Sequence, residues 1–243
     1  MPGDSLFDEG VAARYDAEHP GDAAEVEAAV ALLAELAGSG PALEFAIGTG
    51  RLALPLARTG VAVEGIELSR AMVARLRAKP GGASIPVAIG DMTTVRIEGR
   101  FALVYLAFNT INNLTTQAAQ VACFRNAAAH LEPGGCFVVE VGVPPLQHLP
   151  PGETRLAFAR SDAHWGIDEI DVVSQNFVSH HVFLRDGGVE RRALPMRYVW
   201  PAELDLMAEL AGLRPKARWA DWSRAPFTAT SRSHVSVWDK PDG

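Results

Sequence analysis

Short apolar runs and helical patterns alternate along the first 143 residues of the chain. Apolar residues recur at helical spacing, which predicts helices over residues 22–36, 52–58, 69–79 and 116–131. Nearly unbroken apolar runs predict strands over residues 42–47, 61–66, 85–89, 101–108 and 136–141. A strand that is apolar throughout is buried on both faces, so this order predicts an α/β fold with a doubly wound, mostly parallel sheet.

The pattern changes after residue 143. Prolines punctuate residues 144–151, and the segment 154–200 has the pattern of antiparallel strands, with Asp186-Gly187-Gly188 as a hairpin turn. Pro201 is expected to begin a helix that ends near Ala211, followed by two closing strands. These strands bring the predicted sheet to seven, with an antiparallel β subdomain inserted after the fifth strand.

Composition narrows the class of partner. Hydrophobic residues make up 48% of the chain, enough for a substantial core. No apolar run approaches the roughly 20 residues of a membrane span. The net charge of −7 argues against a nucleic-acid backbone as the main partner. Cys123 and Cys136 lack metal-ligand spacing and are expected to be buried thiols in a reducing compartment, so we predict a cytoplasmic protein with no metal site.

A glycine-rich turn follows the first predicted strand. Gly48 and Gly50 stand one residue apart, and a helical pattern starts directly after them. Glycine lets a ligand lie against the main chain, and the free N–H groups at a helix start favour a polar or anionic group. The turn therefore predicts a cradle for a nucleotide-type cofactor; the alternative is an ordinary strand–turn–helix corner.

Polar residues follow the next three strands as well. Glu67 lies nineteen residues after Gly48, the reach at which a carboxylate accepts hydrogen bonds from both hydroxyls of a ribose. Asp91 follows the third strand and Asn109 the fourth. Ligands bind beyond the carboxyl ends of strands in open parallel sheets, so these side chains are expected at one site.

Over about residues 40–142 the sequence resembles the class I methyltransferases that use S-adenosylmethionine. The family's pattern E/D-x-G-x-G-x-G matches residues 44–50, with Ala46 in place of the first glycine. Three further family motifs match residues 67–72, 90–92 and 131–135 in the right order. The resemblance implies a Rossmann-like methyltransferase fold and S-adenosyl-L-methionine as cofactor. It implies as cofactor-binding residues Tyr15, Glu44, Ala46, Gly48, Gly50, Glu67, Leu68, Met72, Asp91, Met92 and Ala107.

The same resemblance implies individual roles. Glu67 would hold the ribose, Leu68 and Met72 would flank the adenine, and Asp91 would accept a hydrogen bond from the adenine amino group. Tyr15 matches a tyrosine that family members often place in an N-terminal helix over the methionine end of the cofactor. Packing of that ring on the edge of the core is an equally good interpretation.

The inserted strands look like those of small-molecule enzymes such as the sugar N-methyltransferases. This likeness implies methyl transfer to a small-molecule acceptor, at O or N rather than C, by in-line displacement. It divides the chain into an N-terminal helical cap (1–40), a cofactor-binding core (41–143), inserted strands on the acceptor side or at a homodimer contact (144–200), and a closing helix and strands (201–243).

Candidate catalytic residues come from two places. Asn109, Asn112 and Asn113 follow the fourth strand, beside the expected methyl group, and Asn109 is favoured as a positioning residue. His164 and His181 lie in the inserted strands and are candidate general bases, although a histidine in a strand is more often structural. His130 is expected on the surface of its helix.

Two other functions fit parts of the pattern. An NAD-dependent Rossmann-fold oxidoreductase would also use G-x-G-x-x-G/A, which residues 48–53 match, and a ribose-binding Glu67. That interpretation leaves Asp91 unexplained, and no tyrosine has a lysine four residues later. A cofactor-binding protein that has lost catalysis is the third interpretation.

Overall fold

The computed structural model describes residues 7–185 and 187–242. Within these ranges the helices are α1 Glu9–Glu18, α2 Ala23–Ala37, α3 Ala53–Arg58, α4 Arg70–Arg77, α5 Gln117–His130 and α6 Pro201–Leu210. The strands are β1 Ala42–Phe45, β2 Val63–Glu67, β3 Val87–Ile89, β4 Phe101–Leu106, β5 Leu131–Gly142, β6 Arg155–Arg160, β7 His164–Asp171, β8 Asn176–Arg185, β9 Gly188–Arg197, β10 Arg214–Trp219 and β11 Ser233–Asp239.

Seven of these strands form one sheet in the order β10-β11-β5-β4-β1-β2-β3. β1 to β5 are parallel, whereas β11 runs antiparallel to β5 and to β10. The strand order reverses between β1 and β4, which pair directly. The predicted α/β fold, with a mostly parallel seven-stranded sheet, is confirmed.

Helices cover both faces of this sheet. On one face Leu33 of α2 and Leu56 of α3 pack in a core with Leu103 of β4. On the other face Phe124 of α5 packs with Trp238 of β11 in a separate core. Residues that alternate along β1 and β4 contribute to opposite cores, which is why these strands are apolar apart from Glu44 of β1.

Several element boundaries differ from the sequence prediction. The third strand begins at Val87 rather than residue 85. The largest difference is at β5, which begins at Leu131, directly after α5, rather than at residue 136. Gly134 N donates to Lys240 O at 2.9 Å and Gly135 O accepts from Lys240 N at 2.8 Å, so the C-terminal segment pairs with the first residues of β5.

The remaining strands form an antiparallel sheet in the order β6-β7-β8-β9, called here the second sheet. β8 and β9 pair antiparallel up to Arg185 and Gly188, as the predicted hairpin requires, although its residue Asp186 lies outside the described residues. α1 is joined to this sheet by ion pairs from Arg14 to Glu190 and from Arg192 to Glu18, at 3.2 and 3.0 Å.

Helices long and apolar enough to cross a membrane are absent from the described residues. In the same part of the chain, no three His, Cys, Asp or Glu side chains cluster in a way that could hold a metal ion. Cys123 and Cys136 are both buried free thiols.

Candidate active site

The glycine turn after β1 has the backbone that only small residues favour. Gly48 and Gly50 have φ values of 57° and 81°, in the left-handed region. A Cβ on Gly50 would lie 2.3 Å from Leu76 Cδ1 of α4, so this glycine is also required for packing. Beside Gly48 a Cβ would meet Met72 Cε at 3.5 Å and Ala46 O at 3.8 Å, both ordinary contact distances. Gly50 thus fixes the turn against α4, while Gly48 leaves the main chain accessible beside Met72.

Glu67 connects the glycine turn to the neighbouring strands through hydrogen bonds. Its carboxylate accepts hydrogen bonds from Gly48 N and Ser69 N, both at 2.8 Å. Burial raises the pKa of Glu67, and the backbone N–H groups of Ser69 and Gly48 counteract part of that rise. The main-chain oxygen of Glu67 accepts from Gly90 N at 2.9 Å, which places Asp91 at the same edge of the sheet. This edge, at the carboxyl ends of the parallel strands, is called the carboxyl edge below.

The side chains predicted around the adenine differ in exposure. Asp91 is exposed, and its Oδ1 accepts from Thr93 N at 2.7 Å. Leu68 is 37% exposed, whereas Met72 and Met92 are buried. Leu68 and Asp91 therefore face solvent at the carboxyl edge, where an adenine ring would reach them.

Glu44 is a fully enclosed carboxyl group below the glycine turn. Tyr105 Oη donates to its Oε2 at 2.9 Å. Burial raises the pKa of Glu44 to about 8, although the hydrogen bond from Tyr105 and the charge of Arg51 oppose the rise. Glu44 therefore carries its proton through most of the neutral range.

A cavity of about 40 Å³ lies beside Glu44. Its lining includes five of the residues predicted for the cofactor, namely Tyr15, Glu44, Ala46, Gly48 and Ala107. Arg51 and Phe108 also line it, with Arg51 Cζ 3.2 Å from the Phe108 ring centroid, a cation–π contact that the motif analysis missed. Arg51 directly follows residues 44–50 of the glycine motif, and this position could have indicated it in the sequence.

α1 closes this cavity from above. Asp16 accepts from Thr49 Oγ1 at 2.5 Å and pairs with Lys79 Nζ at 2.7 Å. Burial raises the pKa of the Tyr15 phenol, which lies on the same helix and lines the cavity. A volume of about 40 Å³ is close to the roughly 30 Å³ share of one water molecule, so a larger group enters this cavity only if one of its walls moves. The hydrogen-bond donors, the carboxylates and the glycine backbone that lie beneath α1 fit an adenosyl cofactor.

Asn109 joins the ends of β4 and β5. It has a φ of 58°, and its Oδ1 accepts from Gly142 N at 2.6 Å. Asn109 lines a second cavity, of about 240 Å³, between the carboxyl edge and the second sheet. We call this the inter-sheet cavity; its lining is Asn109, Asn112, Gly142, Val143, Pro144, Pro145, Phe158, Asp168, Ile170, Phe177, Ser179, Met196 and Tyr198.

His164 and His181 form a pair on the second sheet. Their rings are parallel, and His164 Nε2 lies 2.9 Å from His181 Nδ1. Burial lowers the pKa of His181 to about 4, and the charges of His164 and Arg192 add to this effect, so the ring is neutral at pH 7. The inter-sheet cavity is lined by Ser179, whose Oγ lies 3.3 Å from His181 Nε2. The His164–His181 pair is thus connected to the inter-sheet cavity through Ser179. Its role as a general base stays a prediction.

Asp168 is a residue of the inter-sheet cavity that the sequence analysis did not single out. It lies on β7 directly opposite Ser179 of β8. The alternation along β7 could have indicated it, because Asp168 shares a sheet face with the buried Ile170 rather than with the exposed Trp165. The sequence alone did not show which face of β7 packs against the core.

Comparisons with known proteins agree with this geometry. Residues 42–135 match the family described as Methyltransferase domain. The crystal structure of the CcbJ methyltransferase from Streptomyces caelestis is 39% identical, superposes with a TM-score of 0.85, and the match covers 98% of each chain. The protein is an S-adenosylmethionine-dependent methyltransferase.

Two curated relatives extend the comparison of this methyltransferase. Cypemycin N-terminal methyltransferase from Streptomyces sp is 26% identical over 82% of each chain. The dTDP-3-amino-3,6-dideoxy-alpha-D-glucopyranose N,N-dimethyltransferase of Streptomyces fradiae is 34% identical over 54% of this chain and 52% of its own. The alternative of an NAD-dependent oxidoreductase is not supported, since the matched family and the named relatives are methyltransferases.

Proposed function

We propose that this methyltransferase methylates a nitrogen atom of a small-molecule amine bound in the inter-sheet cavity. The observation that carries the proposal is the position of that cavity, at the carboxyl ends of β4 and β5 where Asn109 and Gly142 meet. Ligands of doubly wound sheets bind at this edge. The names of both curated relatives describe methyl transfer to nitrogen, one at an N-terminus and one at an amino sugar.

The cofactor is proposed to lie across the glycine turn. Glu67 would hold the ribose, and Leu68, Met72, Asp91 and Met92 would surround the adenine. The hydrogen bond from Gly90 N to Glu67 O supports this assignment, because it keeps the residues proposed for ribose and for adenine at the carboxyl edge. Tyr15 would cover the methionine end once α1 has moved, as its place in the lining of the small cavity suggests.

The reaction requires the protein mainly to align the acceptor nitrogen with the methyl group of the cofactor. A sulfonium makes its methyl carbon electrophilic, so the cofactor supplies the reactive group. The chain must hold a nitrogen lone pair in line with the bond that breaks, and such orientation is worth ~7–11 kcal/mol in ideal cases. Asn109 is the proposed positioning residue because its hydrogen bond to Gly142 fixes the floor of the cavity. An amine that arrives protonated must first lose a proton; His164 and His181 are the bases predicted from the sequence, and the lowered pKa of His181 makes its ring a weak proton acceptor.

The domain division, a homodimer and a cytoplasmic location remain proposals as well. The outward face of the second sheet carries Trp165 and Ile167, 57% and 39% exposed, which supports a contact between two copies. Light scattering at micromolar concentration tests this, and a monomer would refute it. The buried thiols Cys123 and Cys136 support a reducing compartment.

The proposed reaction is tested with a panel of amines and their matched alcohols. S-adenosylhomocysteine binding is first measured by calorimetry, and methyl transfer from labelled S-adenosylmethionine is then followed for amino sugars, amino-acid esters and the corresponding hydroxyl compounds. We expect transfer to one or more amines. Transfer to hydroxyl compounds alone would overturn the assignment of nitrogen.

A further inference from the structure

The inter-sheet cavity has mostly apolar walls with one charged group. Phe158, Phe177, Met196 and Ile170 supply apolar surface. Asp168 contributes the one carboxylate of this lining among the residues that the structure describes. Pockets of this composition fix their ligand through the few polar groups they contain. The ligand class therefore depends on what Asp168 and its polar neighbours can bind.

Two buried oxygen atoms in this lining lack a hydrogen-bond partner. Asn112 is only 8% exposed, and its Oδ1 has no partner within residues 7–185 and 187–242. The same is true of Asp168 Oδ1 over those ranges. Buried polar atoms are nearly always paired in native proteins, so two unpaired oxygens around one cavity point to a ligand that donates hydrogen bonds.

The two residues reach the cavity from different layers of the molecule. Asn112 lies in the single helical turn Thr110–Asn113 that follows β4, three residues after Asn109. Asp168 lies on β7 of the second sheet. A ligand that bridges them would therefore be held between the carboxyl edge and the second sheet, beside the proposed positioning residue.

Asp168 also lines a larger adjoining cavity of about 580 Å³. The two cavities share Val143, Pro144, Pro145 and Phe158 in addition to Asp168. Asp168 thus stands where the smaller cavity opens into the larger one. A methyl acceptor with an amine at one end would place that end beside Asp168 and leave the rest of the molecule in the wider space.

We propose that Asp168 and Asn112 together bind the ammonium group of the methyl acceptor and so select amines over alcohols; one N–H proton then passes to the Asp168 carboxylate, which frees the nitrogen lone pair for methyl transfer. This inference rests on the proposed function, whose acceptor it specifies. An ammonium group has three N–H donors, enough for both unpaired oxygens, whereas a hydroxyl group has one donor and can satisfy only one of them. The Asp168 carboxylate forms a charge-assisted hydrogen bond with an ammonium group, which is stronger than the hydrogen bond that it forms with a neutral alcohol.

The electrostatics of the second sheet agree with a cationic ligand. Burial raises the pKa of Asp168, and the Ser179 hydroxyl and the charge of His180 counteract part of the rise. A carboxyl group in this environment is stabilised by a positive charge brought beside it. Phe158 and Phe177 line the same cavity, and aromatic rings are favourable neighbours for an ammonium ion.

The test uses two probes of nearly equal shape, cyclohexylamine and cyclohexanol. Each is titrated by ligand-observed NMR into the full chain saturated with S-adenosylhomocysteine. We expect the amine to bind at least about tenfold more tightly, and Asp168→Asn to abolish that preference. Asn112→Leu, which removes an unpaired oxygen, should weaken the amine severalfold without lowering Tm. Asp162→Asn, the same change at an exposed position, is the matched control and should leave both affinities unchanged.

Several results would overturn the inference. These are equal affinity for the two probes, no binding of either probe, an amine preference that survives Asp168→Asn, or an equal loss in the Asp162→Asn control. Titration of S-adenosylhomocysteine into every variant separates this inference from the proposed function. An amine preference that depends on Asp168, in a chain that methylates only hydroxyl compounds, would refute nitrogen methylation and leave the binding site standing.

Discussion

Replacing Glu44 with glutamine should change how the stability of the protein depends on pH. Burial raises the pKa of Glu44 from 4.5 to about 8, so the folded protein retains a proton that the unfolded chain loses above pH 4.5. The free energy of unfolding therefore falls as pH rises from 4.5 to 8. One pKa unit corresponds to 1.36 kcal/mol, so this single group lowers stability by on the order of 5 kcal/mol across that window.

Glu44→Gln removes the titration while preserving the contact. The amide oxygen can still accept the hydrogen bond from Tyr105 Oη, now 2.9 Å from Glu44 Oε2. Urea unfolding of both proteins at pH 5, 6, 7 and 8 gives the difference in free energy of unfolding at each pH. We expect the variant to gain on the wild type as pH rises, by about 1.4 kcal/mol per pH unit at the steepest.

Comparison with a matched variant isolates the burial effect. Glu98 is exposed, so Glu98→Gln should leave the pH dependence of the wild type unchanged. Other buried carboxyl groups, such as Glu67 and Glu140, titrate in both proteins and cancel in the difference. Parallel curves for wild type and Glu44→Gln from pH 5 to 8 would refute the reasoning, because Glu44 would then be ionised in the folded state.

Three further substitutions have defined outcomes. Glu67→Ala should weaken S-adenosylhomocysteine binding by more than ~1 kcal/mol in calorimetry, since it removes a buried carboxylate that holds the glycine turn. Gly65→Ala should lower the free energy of unfolding by ~1–3 kcal/mol in urea, because its Cβ would lie 2.6 Å from Ile47 Cδ1. Ser69→Ala should cost ~1 kcal/mol and lower Tm by ~2–4 °C, because Ser69 Oγ caps α4 by accepting from Met72 N at 3.2 Å.

Each of these substitutions has a control in the chain. Glu64→Ala, on the same strand as Glu67, should not change cofactor affinity, and an unchanged affinity in Glu67→Ala would contradict the assignment of that residue. A Cβ on Gly187 would meet nothing within 4 Å, so Gly187→Ala should be neutral; equal stability of Gly65→Ala would show that Ile47 moves freely. Ser84→Ala removes an exposed hydroxyl, and a Tm loss equal to that of Ser69→Ala would argue against capping.

The sheet and its glycine turn could be predicted because local sequence and tertiary structure agree there. Apolar runs identified β1 to β5 because strands covered on both faces are mostly apolar, with buried exceptions such as Glu44 and Glu67. The helix predicted from residue 69 begins there because the Ser69 hydroxyl accepts from the backbone at the first turn of α4. Gly48 and Gly50 were identified because no other residue adopts their backbone conformation cheaply.

Contacts between distant parts of the chain were less predictable. His130 was expected on a helix surface, yet it is 1% exposed and its Nε2 accepts from Ile97 N at 3.0 Å, 33 residues away. Local periodicity carries no information about a loop that folds over a helix end. The same limit hid Asp168, whose importance depends on how the second sheet packs against the carboxyl edge, and the closure of the cofactor site by α1.

The last turn of α1 is bonded both to the core and to the second sheet. Asp16 is bonded to Thr49 and Lys79 of the core, and Glu18 is paired with Arg185 and Arg192 of the second sheet. If α1 moves to admit fresh cofactor, its ion pairs with the second sheet move with it. Exchange of the cofactor and displacement of the second sheet are therefore expected to occur together.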